Sequence, residues 1–470
     1  MSQSTSLVPL RPAFALRQQP GLPFADYLPA SVIHGTLRAL GQGFRERIFT
    51  PAVTLWTFLS QVLDADHSCR QAVARLLAFR VASGLRPCSP DTGAYGKARQ
   101  RLPEALLREL TRRTGRALRE QAPAAWLWKG RSVRLVDGTG LSMPDTPKNQ
   151  KAYPKSKKLQ PGVGFPLVRL VVVFSLAVGT VLEAAFGPFD GKGNGELSLW
   201  RKVAEQLRKG EVLLADRLYP TFWTVAHALA KGADVVMRMH AGRAAVWFGG
   251  RGHRLDNRRT WWRKPPRPEW MSEAEYQQIP EWLRLRALRV TVRQVGFRTR
   301  KLVLITTLLD ADQYTGKDIA ELYRRRWQAE LRLRSLKITL QMDVLRTKTP
   351  EMVRKEIWAH LLVYNLVRTV MAQAALQAQV CPDEISFTGA LQTLNAFLPQ
   401  LPALQTPEEV QAFWDVVLWA VGVHRVGNRP DRSEPRKVKR RPKNYKRLNE
   451  PRAAARERLR KGAKRAGKKR

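Results

Sequence analysis

Residues 167–186 read LVRLVVVFSLAVGTVLEAAF. Two apolar segments, Leu167–Val178 and Thr180–Phe186, meet at a single glycine, Gly179. Val, Leu and Phe crowd both segments and the glycine supplies a turn, so the stretch predicts a hairpin of two buried strands. Its most apolar part, Leu170 to Leu182, is 13 residues long, between Arg169 and Glu183. A membrane span needs about 20 apolar residues, so no bilayer crossing is expected here.

On the N-terminal side, Ser132–Asp137 (SVRLVD) looks like a strand ending in an acid. On the C-terminal side, Leu197–Lys209 has helical spacing and Glu211–Asp216 (EVLLAD) is a second apolar strand ending in an acid. A helix over Pro220–Lys231 and a strand over Ala233–Met237 follow. Three strands, helix, strand, helix, strand is the order of a mixed α/β sheet with helices on its faces. Residues 27–122 read as helical, with a basic amphipathic pair from Tyr95 that breaks at Pro103. Residues 239–300 carry Trp247, Trp261, Trp262, Trp270 and Trp282, several prolines, and alternation over Leu285–Val292, which predicts a β-rich insertion. Beyond it come a strand (Lys301–Leu308), a long helix (Asp318–Leu340), another (Glu351–Leu376) and a short helical finish over 384–425.

The chain has 470 residues, with 82 Lys+Arg against 39 Asp+Glu and a net charge of +43. An excess that large points to a polyanionic partner, nucleic acid first. Residues 429–470 hold 20 Lys+Arg and 4 Asp+Glu, with almost no large apolar residue. They read as a disordered basic arm, with helix over Arg452–Lys461 when bound. Cys69, Cys88 and Cys381 suit neither a disulfide framework nor a zinc motif, and the N-terminus has no continuous apolar segment of a secretory signal, so the expected compartment is the cytoplasm. No paired-histidine motif and no phosphate-cradling Gly-rich loop is present.

Among the acids, Asp137 and Asp216 end apolar strands, where a buried carboxylate is unfavourable unless neutralised. A capped turn is the innocent reading of either one alone. Residues 323–337, YRRRWQAELRLRSLK, add a third. At about 100° per residue, Tyr323, Arg326, Glu330 and Lys337 share one helix face about 60° wide. Trp327, Leu331 and Leu333 flank that stripe, which predicts a partly buried helix whose polar face meets something charged. Three carboxylates from separate elements suit hard divalent cations, and two such ions can clamp the attacking and leaving oxygens of a phosphoryl displacement.

The spacing Tyr323-x2-Arg326-x3-Glu330-x6-Lys337 resembles the signature of DDE transposases of the insertion-sequence type, in the branch of the Tn-five and Tn-ten transposases. Leu135-Val136-Asp137-Gly138-Thr139 resembles that family's first-acid motif, and Leu214-Ala215-Asp216-Arg217-Leu218-Tyr219 its second. The resemblance runs over roughly residues 30–425. It implies an α/β, RNase H-like catalytic core with a β-rich insertion, a helical N-terminal domain and a helical C-terminal region. The corresponding boundaries are 1–125 for a DNA-binding domain, 126–238 and 301–376 for the two parts of the core, 239–300 for the insertion, 377–428 for the C-terminal region and 429–470 for the tail. It further implies Asp137, Asp216 and Glu330 as ligands of Mg2+, with Mn2+ a substitute. Tyr323, Arg326 and Lys337 would contact the DNA backbone, with Arg217 a further candidate, and Trp261 and Trp262 are the candidates for stacking on an extruded base. The expected partners are double-stranded DNA, as terminal inverted repeats and as target, and a second copy of the chain bound on DNA. Two other readings fit the same residues: a metal-dependent endonuclease that cuts without joining, and a non-catalytic or repurposed DNA-binding protein.

Overall fold

In the computed structural model, residues 167–186 fold as two antiparallel strands that turn through Gly179, whose φ is +78°. A side chain there would also collide with the Arg368 guanidinium, which donates from Nε to the Val178 carbonyl at 2.9 Å. The structure describes residues 24, 27–44, 47–155, 163–240, 242–244, 258–291, 301–404, 406–427, 448 and 450–467.

Among them the strands are β1 (Val133–Ser142), β2 (Leu167–Ser175), β3 (Val181–Pro188), β4 (Val212–Ala215), β5 (Asp234–Arg238), β6 (Arg258–Arg263), β7 (Trp282–Thr291) and β8 (Lys301–Thr306). They form one sheet in the order β3-β2-β1-β4-β5-β8-β7-β6. The β1–β4 and β4–β5 pairs are parallel and the others antiparallel. The insertion strands β6 and β7 therefore extend the main sheet through β8 instead of forming a separate layer. Trp247 lies outside the described residues.

The helices are α1 (Ala30–Ala39), α2 (Pro51–Leu63), α3 (Cys69–Ala82), α4 (Gly93–Arg101), α5 (Glu104–Glu120), α6 (Pro147–Ala152), α7 (Glu196–Ala204), α8 (Phe222–Ala230), α9 (Glu273–Gln278), α10 (Gly316–Arg324), α11 (Trp327–Arg334), α12 (Pro350–Gln377), α13 (Phe387–Phe397), α14 (Pro407–Val423) and α15 (Arg452–Gly467). One sheet face packs on α7 and α8 through Val136, Leu213, Ala215, Val235 and Met237. The other face, through Leu135, Leu214, Val236 and Leu304, joins a continuous core that runs from Phe24 in the N-terminal region to Val421 in α14. The N-terminal helices thus share their core with the sheet and with α12.

One expectation changes here. The helix over Asp318–Leu340 is not continuous: α10 stops at Arg324, α11 begins at Trp327, and a wide turn follows in which Leu340 N–H donates to the Ser335 carbonyl. In the basic tail, residues Arg452–Gly467 form the helix α15, over the stretch where a helix is expected, while 429–447, 449 and 468–470 lie outside the described residues. Charge pairs such as Lys461–Glu457, four residues apart at 2.8 Å, support this helix.

Candidate active site

The strand carrying Asp137 does not end there: β1 runs on to Ser142. What ends is its second neighbour. β1 pairs with β2 along Arg134–Ser142 but with β4 only over Val133–Leu135. The parallel register Val133↔Val212 and Leu135↔Leu214, carried two residues on, sets Asp137 level with Asp216 at the carboxyl end of β4. β1 thus outruns β4 and leaves a notch beside Asp137, with Asp216 at its floor. Ligands of open α/β sheets bind outside such carboxyl ends.

Asp216 is fixed by its own turn, accepting the Leu218 N–H at 2.8 Å. Asp137 accepts the Gly138 N–H at 2.8 Å. Burial pushes the Asp137 carboxyl up to about 7; Gly138 N–H and Arg326 oppose the rise, and Glu196 and Asp216 add to it. Arg217 is exposed beside this turn.

Glu330 lies on α11 over the same sheet face, and Arg326 Nη2 donates to its Oε1 at 2.5 Å. Burial works against the Arg326 charge, but Glu330, Tyr323 and Asp137 outweigh it and raise its pKa. Arg326 therefore faces two of the three acids at once. Tyr323 is pushed up to about 12, chiefly by burial, with Arg326 pulling the other way. Lys337 falls in the wide turn after α11 and pairs with Asp343 at 2.9 Å, a departure from the single stripe that uniform helical steps predict. Of the three flanking residues Leu333 is buried, with Ala329 beside it, whereas Trp327 and Leu331 are exposed, 52% and 38%. Arg332 is buried with them, donating to the Ser175 and Leu176 carbonyls at 2.7 and 2.9 Å and pairing with Asp383 at 3.0 Å. That anchor seats α11 on the end of β2.

The tryptophan candidates separate. Adjacent residues of a strand face opposite ways. Trp262 packs edge-on against Phe222 on the α7/α8 face, whereas Trp261 is 60% exposed on the face bearing the acids. The pairings Leu214↔Val236, Val236↔Thr306, Thr306↔Arg286 and Arg286↔Arg259 run in one row across the sheet. Asp216 lies two residues above that row and Trp261 two below it, four strands away. Strand geometry places them roughly 19 Å apart across the sheet and about 13 Å along it. Neither tryptophan reaches the acids. Trp261 belongs instead to a ladder of cations and rings, with Arg284 over Trp261 and Arg263 over Trp282, each at 5.9 Å.

Arg238 and Glu196 carry no local mark in the sequence, and Tyr219 stands there only as the last residue of the second-acid motif. Arg238 ends β5, next to β4, and acts on Tyr323. Glu196, the first residue of α7, accepts the Tyr219 hydroxyl at 2.8 Å. Tyr219 is fully buried, and burial, then Glu196, Asp137 and Asp216, hold its pKa well above the ordinary value.

Among the described residues, no three Asp, Glu, His or Cys side chains are grouped closely enough to hold a metal ion. The donors are nevertheless all carboxylates, the set a hard divalent cation takes. Asp137 and Asp216 lie level on neighbouring strands, and Glu330 is paired with Arg326.

Residues 128–366 match the family described as "Transposase DDE domain", a span that takes in Asp137, Asp216 and Glu330. The chain belongs to the DDE transposases. It is 27% identical over 429 residues to the transposase InsG of insertion sequence element IS4 from Escherichia coli K12, a match covering 89% of this chain and 92% of that one. A local match, 41% over 69 residues, links 15% of this chain with 19% of the transposase of insertion sequence element IS421 from Escherichia coli. Among solved structures, the piggyBac transposase synaptic complex with hairpin DNA aligns over 85% of this chain and 84% of that one, at 9% identity and a TM-score of 0.43. This transposase is an enzyme acting on DNA. Among its described residues no helix is long and apolar enough to cross a membrane.

Proposed function

We propose that this transposase cuts the ends of its insertion sequence and joins them to target DNA, with Asp137, Asp216 and Glu330 holding two Mg2+ or Mn2+ ions. The observation that carries the reading is the register of β1 on β4, which sets two acids from separate motifs side by side on the face crossed by the Glu330 helix. The core would be RNase H-like, the reading favoured by three antiparallel strands followed by two parallel ones. The bound ions would act as Lewis acids on the scissile phosphate and lower the pKa of the attacking water.

The chain's own residues supply the rest. Asp137 and Glu330 orient charge at the notch, and Arg326 exchanges its carboxylate partner for a phosphate oxygen, which a guanidinium binds in a fork. Tyr323 stays protonated at neutral pH and can donate to the backbone. Lys337, Arg217 and Arg238 neutralise neighbouring phosphates. Hydrolysis forms a bond from water oxygen to phosphorus and releases the 3′ oxygen as 3′-OH. That hydroxyl then attacks a second phosphodiester, so one P–O bond forms as another breaks. The substrates would be terminal inverted repeats and target DNA, brought together by a homodimer in the cytoplasm, as in the Tn-five and Tn-ten branch.

A labelled fragment carrying the element's ends tests this. With Mg2+ the wild type should cleave and transfer it, and Glu330→Ala should bind without cutting. Equal cleavage by that variant would remove the assignment, and cleavage without transfer would favour an endonuclease.

A further inference from the structure

The notch beside β1 is open to both faces of the sheet, because β4 has ended. Asp137 enters it from the α11 face. From the other face comes the first residue of α7. A Cβ added to Gly138 would lie 2.7 Å from both carboxyl oxygens of Glu196, so the Glu196 carboxyl rests on the bare backbone next to Asp137. Its Oε1 accepts the hydroxyl of the buried Tyr219 at 2.8 Å, and Tyr219 lies three residues beyond Asp216 in the same turn.

An acid at a helix N-terminus has a routine explanation in the helix dipole. The dipole accounts for a glutamate in the first turn, but not for where this carboxyl goes. It is half-buried, lies against the bare backbone of Gly138, where an added Cβ would press on the carboxyl itself, and accepts the hydroxyl of a buried phenol. It does so close to Asp216 and Asp137, acids of the same sign, with Arg169 as the cation of the chain that acts on it. Like charges gathered in a half-buried site are unfavourable unless a cation offsets them, and such clusters mark functional sites.

We propose that Glu196 is a fourth carboxylate of the catalytic site, facing the divalent cations from the side opposite Asp137, with Tyr219 aiming it and Gly138 making room. This rests on the reading of Asp137 and Asp216 as metal ligands. Glu196 strengthens the hold on the cation or on its bound water, and Tyr219 acts through Glu196 as a positioning residue.

The test is Mn2+ binding to the full chain, followed by the electron paramagnetic resonance of free Mn2+, with no DNA and no turnover. Glu196→Gln keeps the side chain's volume and its acceptor for Tyr219 but removes the charge. It should weaken Mn2+ binding about tenfold, the low end of what ligand-supporting groups contribute. Tyr219→Phe should weaken it less, because the acid remains and only its aim is lost. Melting temperatures of metal-free protein separate these effects from misfolding; a Glu196→Gln chain melting like wild type yet binding Mn2+ weakly supports the proposal. Wild-type Mn2+ affinity in Glu196→Gln, alongside loss of binding in Asp137→Asn, overturns the proposal alone. Unchanged binding in both variants overturns it together with the metal-ligand reading beneath it.

Discussion

Arg326 and Glu330 form an ion pair at 2.5 Å, and the same guanidinium feels Asp137. On the proposed assignment, with Glu330 a metal ligand and Arg326 a phosphate contact, this one side chain links two events. When a phosphate draws Arg326 away, Glu330 becomes available to a cation. DNA carrying the element's end should therefore tighten Mn2+ binding to the wild type, by the 5- to 150-fold typical of coupling energies of about 1–3 kcal/mol. Arg326→Ala should bind Mn2+ more tightly than wild type when no DNA is added, and DNA should then add little. Titrating Mn2+ into both proteins with and without DNA decides it; an affinity indifferent to DNA in the wild type would sink the coupling. At this scale the sequence was informative where side chains repeat with a helix or end an apolar strand, as at Glu330 and Asp216. It was silent on Glu196 and Arg238, whose partners Tyr219 and Tyr323 are more than 20 residues away in sequence. Trp262 shows the opposite case. Strand alternation requires two successive tryptophans to face opposite ways, so only one of the pair could ever be exposed.

Among the elements, the edge strand β3 shows how the helices hold the sheet. Asn365 of α12 accepts the Val181 N–H at 2.7 Å and donates to the Val181 carbonyl and the Thr111 carbonyl, both at 2.9 Å. One buried amide thus closes the strand edge and ties α5 to α12. The approach is close enough that a side chain on Gly115 would collide with the Val181 carbonyl. Asn365→Ala strands these groups away from water, at about 1–3 kcal/mol for each buried group left unpaired. The expected result is a lower urea midpoint and faster hydrogen exchange at Val181; a midpoint within error of wild type would mean water replaces the amide. The hairpin, the α/β order and the two long helical regions were legible because each depends on local periodicity. The break between α10 and α11 was not, since uniform steps of about 100° assume an unbroken helix. Nor was the extension of the sheet by β6 and β7, because strand pairing across β8 is a tertiary choice.

At the scale of the whole molecule, two properties follow from where charge is kept and where it is refused. The imidazoles of His67 and His360 meet at 5.5 Å between the N-terminal helices and α12. Both are depressed to about 4. For His67 the causes are burial, then His360 and Arg346, opposed by Glu356 and Asp64; for His360 they are burial, opposed by the Glu356 and Leu340 carbonyls. The folded pKa lies below the unfolded value near 6.5, so between these pH values the unfolded chain binds more protons. Stability should then fall as pH drops from about 6.5 to 4, by up to about 1.4 kcal/mol per pH unit for each imidazole. Melting temperature measured across that range should fall less steeply in His67→Asn; an identical slope would assign the loss to other groups.

The positive charge works the other way, as a surplus held at the surface. The tail from 429 to 470 carries 20 of the 82 basic residues, and the described residues of α15 are mostly exposed, Leu459 by 73%. A helix with so little apolar surface to bury has phosphates as its natural counterpart, and binding of that kind releases counterions without reading sequence. Deleting 429–470 should weaken DNA binding and lower the slope of log affinity against log salt, by about 0.9 for each phosphate that the tail neutralises. The acids, Arg326 and the β6–β7 ladder all lie outside the deletion, so cleavage at saturating protein should proceed at the wild-type rate. Should the truncated chain keep the full salt slope, the tail does not touch DNA. Should cleavage at saturation collapse, the tail must reach the active site, and the division between holding DNA and cutting it would fail.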